Sequence, residues 1–568
     1  MKFTDVIAET IKANEVSCVF GLQGGAVVHI FDSLEKLNVP VVYTHHESSA
    51  AFASASNSKS SKGLGCSVVT TGPGATNTIT GLLGAWQDSI PCLFLSGQVR
   101  SAHMSYGRPV RQVGAQEVNI VDVVKPLTKY AKTISSADSI QSEINKAIRI
   151  ALSGRPGPVW LDLPLEYQWT DVNFDPKKCR KIAPKNPKPN LSKEMIKFLL
   201  LLEASKNPIF VLGYGVILSK SETLVRDFII SNGLRCVTTW TAAGIFDSEN
   251  KHNLGIIGMS GQAGANKVVF NTDLLICLGS HLSIPHTTTL VESYAPKAKK
   301  IFINIDKDQL NNLNLDSDLN INADLSYFMH LIKDIEVINK NYKKIDTFKK
   351  LNYKSKPAKK ELVDPNIFFN RLTSLTTKKT AIVVDGGGTA LYTGFQSSSL
   401  DQDQVIICSS AISSMGTGLA ETIGSYMSKN FKDLICIIGD GSMLMNIQDL
   451  QSISDMNIPV VICVVNNNGY LAIRHTQQGF LDNKYYGTHP EWKLGIVNFK
   501  DAAKAFKIKY FALEKNSDID YISKKVLGKN YPIILEIKTP EDQPAMFKQR
   551  YKKNKDGTNT PLSLEFME

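Results

Sequence analysis

The segment 434–470, LICIIGDGSMLMNIQDLQSISDMNIPVVICVVNNNGY, limits the fold more than any other stretch of the chain. Leu434–Ile438 is an apolar run of strand length, and Gly439-Asp440-Gly441-Ser442 is a tight turn. Leu444, Ile447 and Leu450 recur at three-residue spacing, which predicts one face of a helix. Pro459–Val465 predicts a second buried strand, ended by Asn466-Asn467-Asn468-Gly469. A right-handed crossover makes two such strands parallel, so their carboxyl ends share the sheet edge where ligands bind. Asp440 and Asn467, 27 positions apart, can therefore converge. A carboxylate, an amide oxygen and a backbone carbonyl are the hard donors that Mg²⁺ takes, usually while sharing the ion with phosphates. Gly439 and Gly441 let the backbone approach closely, and a helix opened by Ser442 would favour phosphate. A GDG alone would be an ordinary turn; the whole succession at this spacing reads as a site.

Alternation of short apolar strands with helical patterns occurs in three blocks, which predicts α/β architecture with three doubly wound parallel sheets. The first block covers 1–165 and holds VSCVFG, VPVVYTHH, GCSVVTTG and IPCLFLSG. A proline- and lysine-rich linker (175–190) leads to a middle block, 191–335, with PIFVLG, LRCVTTW, DLLICLG and KIFINID. The third block, 366–540, holds TAIVVDGGG, LICIIGD, PVVICVVNNN and PIILEI, and a polar tail covers 541–568.

Composition excludes several classes. Of 568 residues, 43% are hydrophobic and 21% charged, an ordinary globular balance that argues against disorder, a collagen-like fibre or a coiled coil. No apolar run is long enough to cross a bilayer, and the start, MKFTDVIAETIKANE, is interrupted by acids where a signal peptide needs an apolar stretch. The expectation is a cytoplasmic protein without membrane partners. Nine cysteines with no CxxC suggest neither zinc nor a disulfide framework. The net charge is +11, with nine lysines and one acid between Lys340 and Lys360. That segment reads as a solvated linker or helix face, the sharper alternative being steering of an anionic substrate. No aromatic and arginine-rich reading module points to nucleic acid.

The 434–470 segment resembles the cofactor-binding motif of thiamine-diphosphate-dependent enzymes. That resemblance implies that Asp440, Asn467 and the Gly469 carbonyl hold Mg²⁺ on the cofactor's diphosphate. It implies that Gly387, Gly388 and Thr389 in VVDGGGTAL, with Gly441, Ser442, Tyr470 and Leu471, line the cofactor, and that Met415 in SSMGTG props it into a bent shape. VFGLQGGAVVHIFDSL, HHESSAAFA, TTGPGATNTITGLLGAWQDSIPCLFLSGQ and GAQEVNIV occur in order and resemble the pyrimidine-binding domain of acetolactate synthase. An acid at a helix start is commonly a dipole partner. The resemblance instead implies that Glu47 is the activating acid at the pyrimidine N1′, with Gly25 and Gln116 beside the chemistry and Pro73 and Asn77 in the pocket. It also implies a homodimer or homotetramer in which this domain completes a neighbour's site.

The resemblance continues through PIFVLGYG, GIIGMSGQAGANKVVFNTDLLICLGSHL and IFINIDKDQL, and implies FAD in the middle domain. Gly213–Gly215, Gly258-Met259, Gly279 and Asp306 fit that pattern. SHLSIPH stands where the family has Arg-Phe-Asp-Asp-Arg, and Ser410-Ala411 where it has Gly-Gly, so another nucleotide or no ligand stays open. The reaction implied is decarboxylation of a 2-oxo acid, pyruvate above all, and transfer of the two-carbon unit to an acceptor carbonyl. The acceptor is a second 2-oxo acid or, given NNNGYLAIRHTQQGF and the tail, a nucleotide-linked keto-deoxysugar, for which Arg474, His475 and Lys552–Lys553 supply positive charge. A decarboxylase that releases an aldehyde is the alternative, and a non-catalytic cofactor-binding homologue is a reading from another class.

Overall fold

The apolar runs segregate into three separate sheets in this computed structural model, which describes residues 1–337, 362–544 and 549–566. The lysine-rich segment Lys340–Lys360 lies outside the described residues, as do residues 545–548 of the tail. The first sheet comprises β1 (Val19–Gly21), β2 (Val41–Tyr43), β3 (Gly65–Val69), β4 (Cys92–Gln98), β5 (Tyr130–Thr133) and β6 (Val159–Pro164), in the order β2-β1-β3-β4-β6-β5. The second comprises β7 (Pro208–Leu212), β8 (Arg235–Thr238), β9 (Asn253–Ile256), β10 (Leu274–Leu278), β11 (Lys299–Asn304) and β12 (Leu319–Asn322), in the order β12-β11-β10-β7-β8-β9. The third comprises β13 (Thr380–Val384), β14 (Ile406–Ile407), β15 (Asp433–Gly439), β16 (Val460–Asn466), β17 (Lys509–Leu513) and β18 (Ile533–Lys538), in the order β14-β13-β15-β16-β18-β17.

Every pairing within these sheets is parallel. The central strands β3, β10 and β16 are buried at nearly every position, as parallel sheets covered on both faces require. The first and third sheets share one topology. Each reverses direction after its second strand, which puts the switch points between β1 and β3 and between β13 and β15. The middle sheet is wound as in dinucleotide-binding folds, with its switch point between β7 and β10.

One element departs from the sequence expectation. The predicted continuous helix over Leu444–Leu450 is broken. A short turn of helix covers Asp440–Met443, and the next helix starts only at Asp449. Between them the Asn446 amide donates to the Gly416 carbonyl (2.8 Å), so the chain gives up helical bonds to tie down a neighbouring loop. Ser442 accordingly lies inside a four-residue turn and opens no long helix.

The helix Glu47–Ser61 carries only small and polar residues around one Phe, yet most of it is buried. It packs against the helix Gly418–Met427 of the third domain, where a side chain on Gly424 would meet the Ala53 carbonyl at 2.0 Å. Ser56 donates to the Glu421 carbonyl (2.9 Å) and Asn57 to that of Gly424 (3.0 Å). Nearby, Lys59 and Asp88 form a buried ion pair at 2.7 Å, and the Ser410 and Ala411 amides donate to Asp88. In the tail, β19 (Tyr551–Lys553) and β20 (Asn559–Pro561) form an exposed antiparallel hairpin, after which Leu564 packs on Ala263 of the middle domain.

Candidate active site

At the third sheet's switch point the ends of β13, β15 and β16 build a cradle. Asp385, just after β13, is fully buried and accepts the amides of Gly387 (2.9 Å), Thr417 (2.9 Å) and Gly418 (3.1 Å). Burial pushes its carboxyl up, and these donors oppose the shift. The effect is to clamp the Gly386–Gly388 loop against the loop carrying Met415. A side chain on Gly387 would meet Ser442 Oγ at 2.2 Å and Met415 Cγ at 3.2 Å, so glycine is required by contact rather than by backbone freedom.

Asp440 follows β15 and is 1% exposed. Its carboxylate accepts the Gly441 amide (2.8 Å) and, across the switch point, the Gly469 amide (2.9 Å). Burial pushes it up to about 6, against the pull of those amides and of Arg474. Asn467, at the end of β16, is 2% exposed; its amide nitrogen reaches Thr389 Oγ1 at a long 3.5 Å, while its Oδ1 is buried with no partner among the described residues. An orphaned buried acceptor costs on the order of 1–3 kcal/mol unless a ligand or water meets it. Asp440, Asn467 and Gly469 thus come together with one oxygen unsatisfied, and a hard divalent cation fits that donor set. The Tyr470 ring lies over Gly441, where a side chain would meet it at 2.2 Å, and Leu471 and Thr389 line a small adjoining pocket.

The first sheet gathers the other expected residues at its own switch point. Glu47 opens the helix after β2 and is 8% exposed; Asn77 Nδ2 donates to its Oε2 (3.0 Å). Gly25 follows β1, Pro73 follows β3, and Gln116 lies in the long loop after β4. Gln116 is held at φ 61°, a left-handed conformation rare outside glycine, with its carbonyl accepting from Thr71 Oγ1 (3.2 Å). Gly25, Pro73, Asn77 and Gln116 all face outward and exposed. Among the described residues, no hydrogen bond or ion pair joins Glu47 to Asp440, Asn467 or Gly469. Ser49, two residues from Glu47, does reach the third domain, donating to the buried Asp449 (2.8 Å).

A cavity of about 420 Å³ lies outside the middle sheet's switch point, between all three domains. Gly213 packs against Gly279; of the expected positions, Tyr214, Gly215 and Gly279 line the cavity, together with Ser410 and Ala411. Gly258-Met259 and Asp306 do not. Gly258 packs under the backbone of Pro285 and His286, Met259 packs beside the tail's Leu564, and Asp306 caps the helix Lys307–Asn311. Arg155 of the first domain lines the cavity and pairs with Asp306 at 3.2 Å.

Arg474 is not available to an anionic acceptor. It is 4% exposed and bonded to backbone carbonyls, whereas Lys552 and Lys553 are exposed in the tail hairpin. Sequence reasoning missed Asp385, whose only signal is an acid between an apolar run and three glycines. It also missed Asn446 and the Thr71–Gln98 pair behind Gln116, which carry no signal because their partners are distant in sequence.

Comparison with known proteins fits this arrangement. Residues 1–123, 196–332 and 385–537 match, in order, the N-terminal TPP binding, central and C-terminal TPP binding domains of thiamine pyrophosphate enzymes. Three parallel sheets with glycine-lined switch points and these matches define a thiamine-diphosphate enzyme. The chain is 30% identical to a probable acetolactate synthase large subunit of Methanocaldococcus jannaschii, over 94% of this chain and 92% of that protein. It is 29% identical to acetolactate synthase 1, chloroplastic, of Zea mays (95% and 86%), and 26% identical to the acetolactate synthase large subunit of Porphyra purpurea (94% and 92%). The chain belongs to the acetolactate synthase-like family of thiamine-diphosphate-dependent enzymes. No helix among the described residues is long and apolar enough to cross a membrane.

Proposed function

We propose that this enzyme decarboxylates pyruvate and transfers the two-carbon unit to a second 2-oxo acid, using Mg²⁺-anchored thiamine diphosphate. The observation that carries this reading is the cradle at β13, β15 and β16, with Asn467 Oδ1 buried and unpartnered beside Asp440. Asp440, Asn467 Oδ1 and the Gly469 carbonyl hold the metal. Gly387, Gly388 and Thr389 would admit the diphosphate, Gly441, Ser442, Tyr470 and Leu471 would wall it, and Met415, half exposed beside Gly387, would support the cofactor. Thiamine diphosphate, when bound, would supply a nucleophilic carbon for the 2-oxo group and a sink for the electron pair released with CO₂.

The protein's part is to set protonation and exclude water. Glu47 holds a proton at the pyrimidine N1′, and Asn77 fixes the carboxyl's orientation through Oε2. Gly25 leaves room at the end of β1, where no atom lies within 4 Å of an added side chain. Pro73 starts the short helix that carries Asn77, and Gln116 presents its amide from a strained, pre-set backbone.

Exposed apolar side chains flank both half-sites, Val110 and Val113 beside the first and Met445, Ile473 and Phe480 beside the third. A second copy of the chain covers them in our reading, giving a homodimer or homotetramer with shared sites. The middle cavity is read as the FAD site, on its sheet order and on the close approach of Gly213 and Gly215 to Gly279. The exposed Lys552–Lys553 hairpin favours, as a second reading, a nucleotide-linked keto sugar as acceptor. Incubation of the purified chain with pyruvate, thiamine diphosphate and Mg²⁺, followed by product identification, separates these readings. Acetolactate with CO₂ release is expected. Acetaldehyde as the main product would make it a decarboxylase, product only with a keto sugar would favour the second reading, and no CO₂ from pyruvate would overturn the proposal.

A further inference from the structure

Arg474 sits in the helix Leu471–Phe480 and is almost entirely buried. Its guanidinium donates to four backbone carbonyls, those of Asn467 (2.7 Å), Thr488 (2.9 Å), Glu541 (3.0 Å) and Asn468 (3.1 Å). These belong to three separate stretches: the loop after β16, the turn before Pro490 and the chain beyond β18. The loop after β16 turns through two successive residues at positive φ, Asn468 at 63°, a conformation disfavoured for a residue with a side chain, and Gly469 at 125°. Such a conformation persists only where its surroundings over-determine it.

From this we infer that Arg474 is the positioning residue of the metal loop. By fixing the Asn467 and Asn468 carbonyls on one side, it leaves the Gly469 amide on Asp440 and the Asn467 side chain free to aim its unpartnered oxygen at the cation site. Glu541 ties the start of the tail to the same guanidinium. A lysine keeps the charge but offers three donors from a single point and cannot span four carbonyls. The inference rests on the magnesium reading above.

The test measures the Mg²⁺ concentration that half-saturates thiamine diphosphate binding, by calorimetry, in the full-length wild type, R474K and R474M. Each protein is also melted without cofactor and metal. Groups that orient metal ligands from behind typically alter affinity by 10- to 100-fold. R474K should therefore raise the half-saturating Mg²⁺ by about tenfold with little change in cofactor-free melting, and R474M should raise it further. R474K with wild-type Mg²⁺ dependence would overturn the positioning role while leaving the magnesium site standing, as would a fall in melting temperature with no change in Mg²⁺ dependence. Cofactor binding to the wild type that ignores Mg²⁺ would remove the magnesium reading itself, and this inference with it.

Discussion

The first and third domains wind their sheets in the same strand order yet present opposite surfaces at the same topological point. In the third domain the switch point is closed: Asp385 and Asp440 are buried, their oxygens are met by backbone amides, and Asn467 Oδ1 beside them has no partner among the described residues. In the first domain the switch point is open, and of the five expected residues only Glu47 is buried. One topology thus serves two tasks. A diphosphate and its metal need a rigid, desolvated cradle that a single chain can build. A ring that must be gripped from both sides needs a surface that something else covers.

Four perturbations break or sharpen that contrast. Asp440→Ala removes the only acid in the closed half's donor set. It should abolish Mg²⁺-dependent cofactor binding, a loss of more than about 100-fold, and calorimetry with unchanged affinity would rule Asp440 out as a ligand. Glu47→Gln lies in the open half and should leave binding near wild type while CO₂ release falls by about 10²–10⁴-fold. Full activity in that variant would remove Glu47 from the chemistry.

The tie between the halves is tested next. Asp88→Ala strands Lys59 in a buried interface and should cost about 3–5 kcal/mol in urea unfolding. A loss under about 1 kcal/mol would mean that solvent reaches the pair. The last perturbation concerns Asp162, buried in the first domain under Ser96, Gln98 and Thr133. Burial pushes its carboxyl up to about 7 from 3.8. Between those values the unfolded chain releases a proton that the folded chain keeps, so this group lowers stability as pH rises and has no further effect above about 7. Asp162→Asn should flatten that part of the stability profile. An unchanged slope in urea midpoints between pH 4.5 and 7.5 would show that another group sets it.

The sequence made the centres of the three sheets legible and their edges mostly not. VVICVVN and LLICL are apolar at almost every position because they are buried on both faces. Of the six strands of these sheets that escaped notice, β5, β9, β12, β14 and β17 are sheet edges, whereas β6 is interior and fully buried. KYFAL and LNIN are half exposed, and β14 is two residues long, so no apolar run marks them. At the site, Asp440 and Asn467 could be read because one strand–helix–strand unit fixes their separation. The sequence reads Arg474 as a charge offered to an anionic acceptor because nothing local distinguishes a buried guanidinium from a solvated one. Its four acceptors come from three stretches that only the folded chain brings together.

The most direct test of the shared site is complementation between inactive chains. Glu47→Gln and Asp440→Ala subunits, co-expressed with different tags and purified as the hybrid, each lack one half of the site. If the open half of one chain closes on the cradle of another, every hybrid pair regains one intact site. The purified hybrid should then recover about half of wild-type CO₂ release. A hybrid as inactive as either parent would contradict a site built from two chains.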